Sequence, residues 1–410
     1  MKRFILSAAA LLSVVAASAQ GKIENYDFDS FKVHIYTSAE AMGDVSILVE
    51  GEDGLVVIEP QSFYKSIEDF NAYIESLEKP LVKVVANYHA GGLAECDLKK
   101  VVMVEPMVEF MKSPIAEGMM KKFAGAFQGA MDTRPVKIRK TIPAVGSQEW
   151  AGVSFDFTNG AASDFPASSI NIGDKAYYTH FAPSKSHFAP MRLRTRESID
   201  AILAELKKIE ASGVEYIFGS HGATATQEEV AFQIEYLESM KALLAKCKTS
   251  DSFAQQLIVS YPTLGGAENI KAIATALYPD EVKSAEELAV RGRVQEYFDM
   301  VSNLDTTIAK SLWANSDNIS IITPRSHFFG YDSIMNDFLI KTFSSMKSRR
   351  LHSLSEVVNI YGKSANVQLY WIFDTVDSEG NSHQTRGRET LVFENIDNVW
   401  RLVHVHYSRM

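Results

Sequence analysis

Short apolar runs and helical periodicities alternate along the first half of the chain. Residues 31–36, 45–50, 55–58, 82–86 and 101–104 read as strands, as do 153–157, 170–172 and 176–180, because β-branched and aromatic residues dominate them. Gly51-Glu52-Asp53-Gly54 supplies a hairpin turn between the second and third of these. Between the strands, residues 67–77, 92–100 and 197–209 carry apolar positions at helical spacing, and Val230, Ile234, Leu237 and Leu244 mark another helix. This alternation predicts an α/β fold for residues 22–248. Residues 249–283, with YPTLGG and LYPD, read as a helical connector. From residue 284 the order changes. One amphipathic helix, with Val290, Val294, Tyr297, Phe298 and Val301 on a face, precedes strands at 319–322, 357–360, 367–373, 388–394 and 400–407, which is an α+β order.

The start of the chain is patterned differently. Lys2 and Arg3 are followed by an apolar core over 4–17 and by Ala17-Ser18-Ala19, which predicts a cleaved signal peptide over residues 1–19 and a periplasmic or secreted protein. No later stretch is long and apolar enough to span a bilayer. The 410 residues suffice for two domains, and a net charge of -10 with no dense basic cluster argues against nucleic acid as a partner. The only cysteines are Cys96 and Cys247, whose separation leaves a disulfide and two free thiols equally open.

Two strand ends carry candidate chemistry. VVANYHAGGL delivers His89 and a Gly-Gly pair at the end of one apolar run, and VEYIFGSHGATA delivers His221 in a Gly-x-His-Gly turn at the end of another. Together they resemble the metallo-β-lactamase family, in which a strand leads into H-x-H-x-D-H followed by Gly-Gly and the last metal histidine sits in a Gly-His-Gly turn. HAGGLAE looks like that first motif without its Asp-His portion. Asn159-Gly160-Ala161-Ala162 stands where the resemblance implies a Gly-His-Thr turn, and Thr179-His180 stands where it implies a bridging aspartate. The resemblance implies an αββα sandwich. With most family ligands missing, it leaves at most one zinc on His89, His180 and His221, with the fourth position open to water. The other reading is that the metal is lost and the imidazoles are polar contacts. His187 is either a replacement ligand or a loop histidine. The Met- and Phe-rich residues 107–133 either line a hydrophobic substrate groove or form a helical pair packed on the core.

The last third resembles the SnoaL-like, nuclear-transport-factor-like cone. Trp313-Ala314, Gly330-Tyr331, Thr385-Arg386-Gly387-Arg388-Glu389-Thr390 and the stretch from Trp400 to Ser408 carry that likeness. It implies an apolar pocket, with Trp313, Tyr331, Trp371, Arg386, Arg388, His404 and His406 as candidate lining residues, and a homodimer through the sheet. Arg386 and Arg388 share a strand face and suit a carboxylate at the cone mouth, or an exposed cationic edge. His404 and His406 are pocket acid/base groups or sheet residues bonded to neighbours. Three functions follow: a secreted, single-zinc, metallo-β-lactamase-fold hydrolase; a metal-free pseudoenzyme or small-ligand-binding protein using the cone; and an isomerase or dehydratase acting within the cone.

Overall fold

A computed structural model of the protein describes residues 21–161, 165–303 and 305–410. The signal peptide expected over residues 1–19 lies outside them, as does Asp164. The chain divides into two compact units, Met1–Ser184 with Lys207–Val230, and Lys185–Leu206 with Ala231–Met410.

The first unit is built on two sheets. One has the order β1 (Lys22–Asp27), β2 (Lys32–Thr37), β3 (Val45–Glu50), β4 (Leu55–Ile58), β5 (Leu81–Val85), β6 (Val101–Val104) and β7 (Thr141–Ile142). Pairing is antiparallel from β1 to β4 and parallel from β4 to β7. The other sheet comprises β8 (Gly146–Trp150), β9 (Val153–Asn159), β10 (Ser168–Ile172), β11 (Ala176–Phe181) and β12 (Tyr216–His221), with β11 and β12 parallel. One apolar core takes residues from both sheets, including Ile47, Leu48, Val56, Val85, Phe155, Phe157, Ile170 and Phe218, all at most 3% exposed. The continuous apolar runs in the sequence are thus strands buried on both faces.

One local expectation changes and another holds. Residues 92–100 form only a short turn of 3-10 helix at Leu93–Glu95, because Gly92 is left-handed (φ 75°) and its backbone packs tightly on Gln61. The helical pair expected near residue 107 is present as Glu105–Met111 and Pro114–Phe127. Pro106 and Pro114 stand in the first turns, and Ser113 caps the second helix through Ala116 N.

In the second unit, helix Ala285–Asn303 packs on a six-stranded sheet of order β14 (His327–Phe329), β13 (Ser320–Ile322), β18 (Val399–Arg409), β17 (Ser382–Ile396), β16 (Ser364–Asp377) and β15 (Met346–Tyr361). Val290, Val294, Tyr297, Phe298 and Val301 are its buried face, as their spacing predicts. Helices Ser250–Ser260 and Ile270–Leu277 occupy the connector and pack on β15. There Arg291 bonds Asp251, Glu287 and Glu356, while Lys271 holds the same Glu356 at 2.6 Å.

Gly387 sits mid-strand in β17 for a packing reason. A Cβ there would lie 2.1 Å from Trp371 Cζ2 and 2.6 Å from the Ser408 carbonyl oxygen. Gly387→Ala is expected to cost about 2 kcal/mol or more, since a buried indole cannot yield without repacking. Gly292→Ala, with open space around its added methyl in helix Ala285–Asn303, should instead stabilise by about 0.5–1 kcal/mol. Urea denaturation of the two variants side by side checks the opposite signs.

Candidate functional sites

In the first unit, β5, β11 and β12 deliver three histidines to one point. His89 follows β5, while His180 and His221 lie near or at the ends of β11 and β12. One ring nitrogen from each lies within 4.8 Å of the other two, and His89 Nε2 is 3.1 Å from His221 Nε2. His180 is buried, and the other two are half-buried. The rings are boxed by aromatics: Tyr88 stacks on His180 at 4.3 Å, and Phe181 stacks on His221 at 5.2 Å.

Two carboxylates that sequence reasoning did not name as site residues also lie at the cluster. Asp44, just before β3, is buried, and its Oδ1 lies 3.9 Å from His221 Nδ1 with no hydrogen-bond partner among the described residues. Burial holds this carboxyl above its usual range; His89 opposes the shift and Glu59 adds to it. Glu59 itself is 1% exposed and occupies the left-handed region at φ 59°. Its carboxylate accepts from Tyr88 N (2.6 Å), His89 N (3.0 Å) and the Tyr178 hydroxyl (2.5 Å). Tyr178 also shares a 2.7 Å hydrogen bond with Ser220, the residue before His221. One side chain therefore braces two of the three histidine-bearing strand ends. The sequence signal was slight: an acid directly after the apolar run of β4, and a Gly-Asp pair directly before β3.

The donor set suits a metal ion. Three imidazoles form the ligand set of a single catalytic zinc. A 3.1 Å spacing between two ring nitrogens is near what two ligands of one ion require. The buried, unpartnered Asp44 oxygen supplies negative charge beside them. His187 does not belong to the cluster. It is buried against Tyr236, with a 2.7 Å bond to the phenol, and burial pushes its pKa down to about 4. Asp174 lies in the exposed β10–β11 turn, bonded to Asn171. Cys96 and Cys247 are both free thiols, and burial pushes Cys96 up to about 11. A cavity of about 350 Å³ is lined by Ala90, the neighbour of His89, and by Leu93, Met103, Met111, Met120 and Ile138, with Glu117, Lys121 and Arg134 among its polar residues. The Met-rich segment is thus both a helical pair and the wall of a groove.

The second unit encloses a cavity of about 150 Å³ between its helix and the curved sheet. Trp313 and Trp371 line it, as the sequence predicts; the other five candidates do not. On β17 the inward positions are Thr385, Gly387 and Glu389, so Arg386 and Arg388 point the other way. Arg386 donates to the carbonyls of Pro262 and Leu264, and Arg388 donates to Ser408 Oγ. On β18, Trp400 and Leu402 face the core, and strict alternation would carry His404 and His406 inward with them. A register irregularity opposite Val392 and Phe393 adds one residue, so Val405 and Tyr407 turn inward instead. His404 bonds Ser320 Oγ at 2.8 Å, and His406 is exposed. Tyr331 is half-buried against the core outside the cavity.

The inward groups that sequence reasoning missed are Tyr297, Arg349, Glu389 and Tyr407. Glu389 accepts from the Tyr297 hydroxyl at 2.6 Å, and burial pushes its carboxyl up to about 7. Burial also lowers the Arg349 guanidinium from its ordinary value.

A family model described as a SnoaL-like domain matches residues 290–410. Among solved structures, a nuclear transport factor 2-like superfamily protein from Salmonella enterica serovar Typhimurium is 30% identical over 30% of this chain and 89% of its own, with a TM-score of 0.29. An uncharacterized protein with a cystatin-like fold from Caulobacter vibrioides is 19% identical over 30% and 87%, TM-score 0.27. A conserved protein from Planctomyces limnophilus is 16% identical over 31% and 100%, TM-score 0.28. No curated protein matches the chain. The helix-then-sheet order, the curved six-stranded sheet and the matched segment agree: residues 290–410 are a SnoaL-like, nuclear-transport-factor-like α+β domain.

Proposed function

We propose that the protein is exported to the periplasm or beyond the cell and that its first unit is a degenerate metallo-β-lactamase-like hydrolase with one metal ion. The observation that carries this reading is the convergence of His89, His180 and His221 from three separate strand ends. Beside them lies the buried Asp44, whose Oδ1 has no hydrogen-bond partner among the described residues and stands 3.9 Å from His221 Nδ1. Residues His89, His180 and His221 would hold the ion. When bound, a zinc at such a site supplies a Lewis acid and lowers the pKa of a water molecule.

The chain's own residues do the rest. Glu59 fixes the His89 backbone and, through Tyr178 and Ser220, the approach to His221. Asp44 places negative charge near His221 Nδ1. Tyr88 and Phe181 cover the rings and limit water. The groove beginning at Ala90 suits an apolar acyl or alkyl portion, so an ester or lactone with a hydrophobic body is the substrate class.

One observation favours a metal-free reading. At 3.1 Å, His89 Nε2 and His221 Nε2 are also within hydrogen-bond distance of each other, which satisfies two imidazoles without an ion. Metal content by mass spectrometry, on protein purified without chelator or histidine tag, separates the two. The hydrolase reading expects about one zinc per chain, lost in His221→Ala while circular dichroism stays unchanged. Parent protein without metal makes the first unit a scaffold.

A further inference from the structure

The cavity of the SnoaL-like domain carries more polar chemistry than its packing requires. Trp313 Nε1 and Trp371 Nε1 are buried without hydrogen-bond partners among the described residues, and both side chains line it. Unpaired buried donors are costly, and two carried by side chains that line one cavity point to an absent acceptor. Arg349 lines the same space, its guanidinium 5.0 Å from the Phe373 ring centroid. Most of the remaining wall is apolar, from Met300, Val301, Ile321, Phe338, Leu339 and Val405. A void of about 150 Å³ accommodates a benzene-sized guest.

We propose that this cavity binds a small monocarboxylate with an aromatic or short aliphatic body, its carboxylate received by Arg349 and the two indole N–H groups. Two neutral donors and a cation, set in apolar walls, call for an anionic acceptor on an apolar body. Glu389 accepts from Tyr297 of helix Ala285–Asn303, and Tyr407 lies beside it; Arg349 from β15 and Arg409 from β18 are the other charged groups that line the same cavity. With its carboxyl titrating at about 7, Glu389 is neutral in mild acid and presents no charge to the ligand. Above neutrality it is ionised and repels the carboxylate, so affinity falls with rising pH. This inference does not rest on the histidine cluster.

The test uses the full chain and two probes, benzoate and its neutral counterpart benzyl alcohol, by calorimetry. At about pH 6, benzoate should bind with a dissociation constant on the order of 1 mM or tighter and at least about tenfold better than benzyl alcohol. At about pH 8 its affinity should drop, by up to about tenfold for each pH unit above 7. Trp371→Phe, which keeps an aromatic side chain but removes the pyrrole portion with its N–H, should weaken benzoate about fivefold to tenfold. Glu389→Gln should keep the mild-acid affinity and abolish the pH dependence. No benzoate binding in mild acid, no preference over benzyl alcohol, an affinity untouched by Trp371→Phe, or a pH dependence that survives Glu389→Gln would each overturn the proposal.

Discussion

Glu59→Ala is expected to destabilise the first unit by about 3–5 kcal/mol and, if the proposed single-metal reading holds, to lower metal content at the histidine cluster. The carboxylate accepts three hydrogen bonds at a position 1% exposed, from Tyr88 N, His89 N and Tyr178 Oη. Alanine leaves two backbone N–H groups and one hydroxyl facing a void that water enters with difficulty. The loss of those partners, rather than the loss of packing, dominates. Glu59→Gln retains the volume and an acceptor but exchanges charge-assisted bonds for neutral ones, and should cost about 1–2 kcal/mol. Denaturant titration orders the three proteins. Mass spectrometry on folded Glu59→Gln then asks whether the brace matters for the metal site. Full metal content there would show that the imidazoles hold their positions unaided.

Glu389→Gln should change the pH dependence of stability in the second unit. In the unfolded chain this carboxyl titrates near its ordinary 4.5, and in the fold at about 7. Between those values the folded protein keeps a proton that the unfolded chain has released. The associated stability is fully present below about pH 4.5 and is lost as the pH rises through 7; it amounts to about 3 kcal/mol. Glutamine at position 389 still accepts from Tyr297 and never ionises. The variant should therefore match the parent at about pH 4 and exceed it by about 2–3 kcal/mol at about pH 8.5. Urea unfolding followed by tryptophan fluorescence at the two pH values measures the difference. Equal slopes for variant and parent would mean that the Glu389 charge is solvated in the fold.

The site in the first unit was half legible. A histidine at the end of an apolar run, followed by a glycine that must be left-handed, is a local feature that can be read along the chain. Asp44 and Glu59 were not read as site residues, since an acid beside a strand usually faces water. Their burial is decided by what packs over them: Gln61 against the Asp44 carbonyl, and Tyr178 against Glu59. In the second unit, Trp313 and Trp371 were found because the SnoaL-like resemblance implies them, and alternation along β16 puts Trp371 on the buried face with Val367 and Leu369. His404 and His406 were misplaced for one reason, the added residue in β18, which reverses the alternation between Leu402 and Val405. Arg386 and Arg388 do share a face, as their spacing requires, but it is not the cavity's. Glu389, the residue directly after Arg388, takes the opposite face and lines the cavity.

By itself, the sequence determined most of the strands and helices in both halves, that the last third is a SnoaL-like α+β domain, and that His89, His180 and His221 stand at or near strand ends. Those properties depend on periodicity, turn chemistry and local backbone preference, which act over a few residues. Tertiary structure alone decided that the three histidines meet at one point, that Glu59 braces the turn, and that Glu389, Arg349 and Tyr407 rather than Arg386, Arg388, His404 and His406 line the cone. Each of those outcomes depends on register between strands or on contact between residues distant in the chain, and a shift of one residue reverses the face a side chain takes.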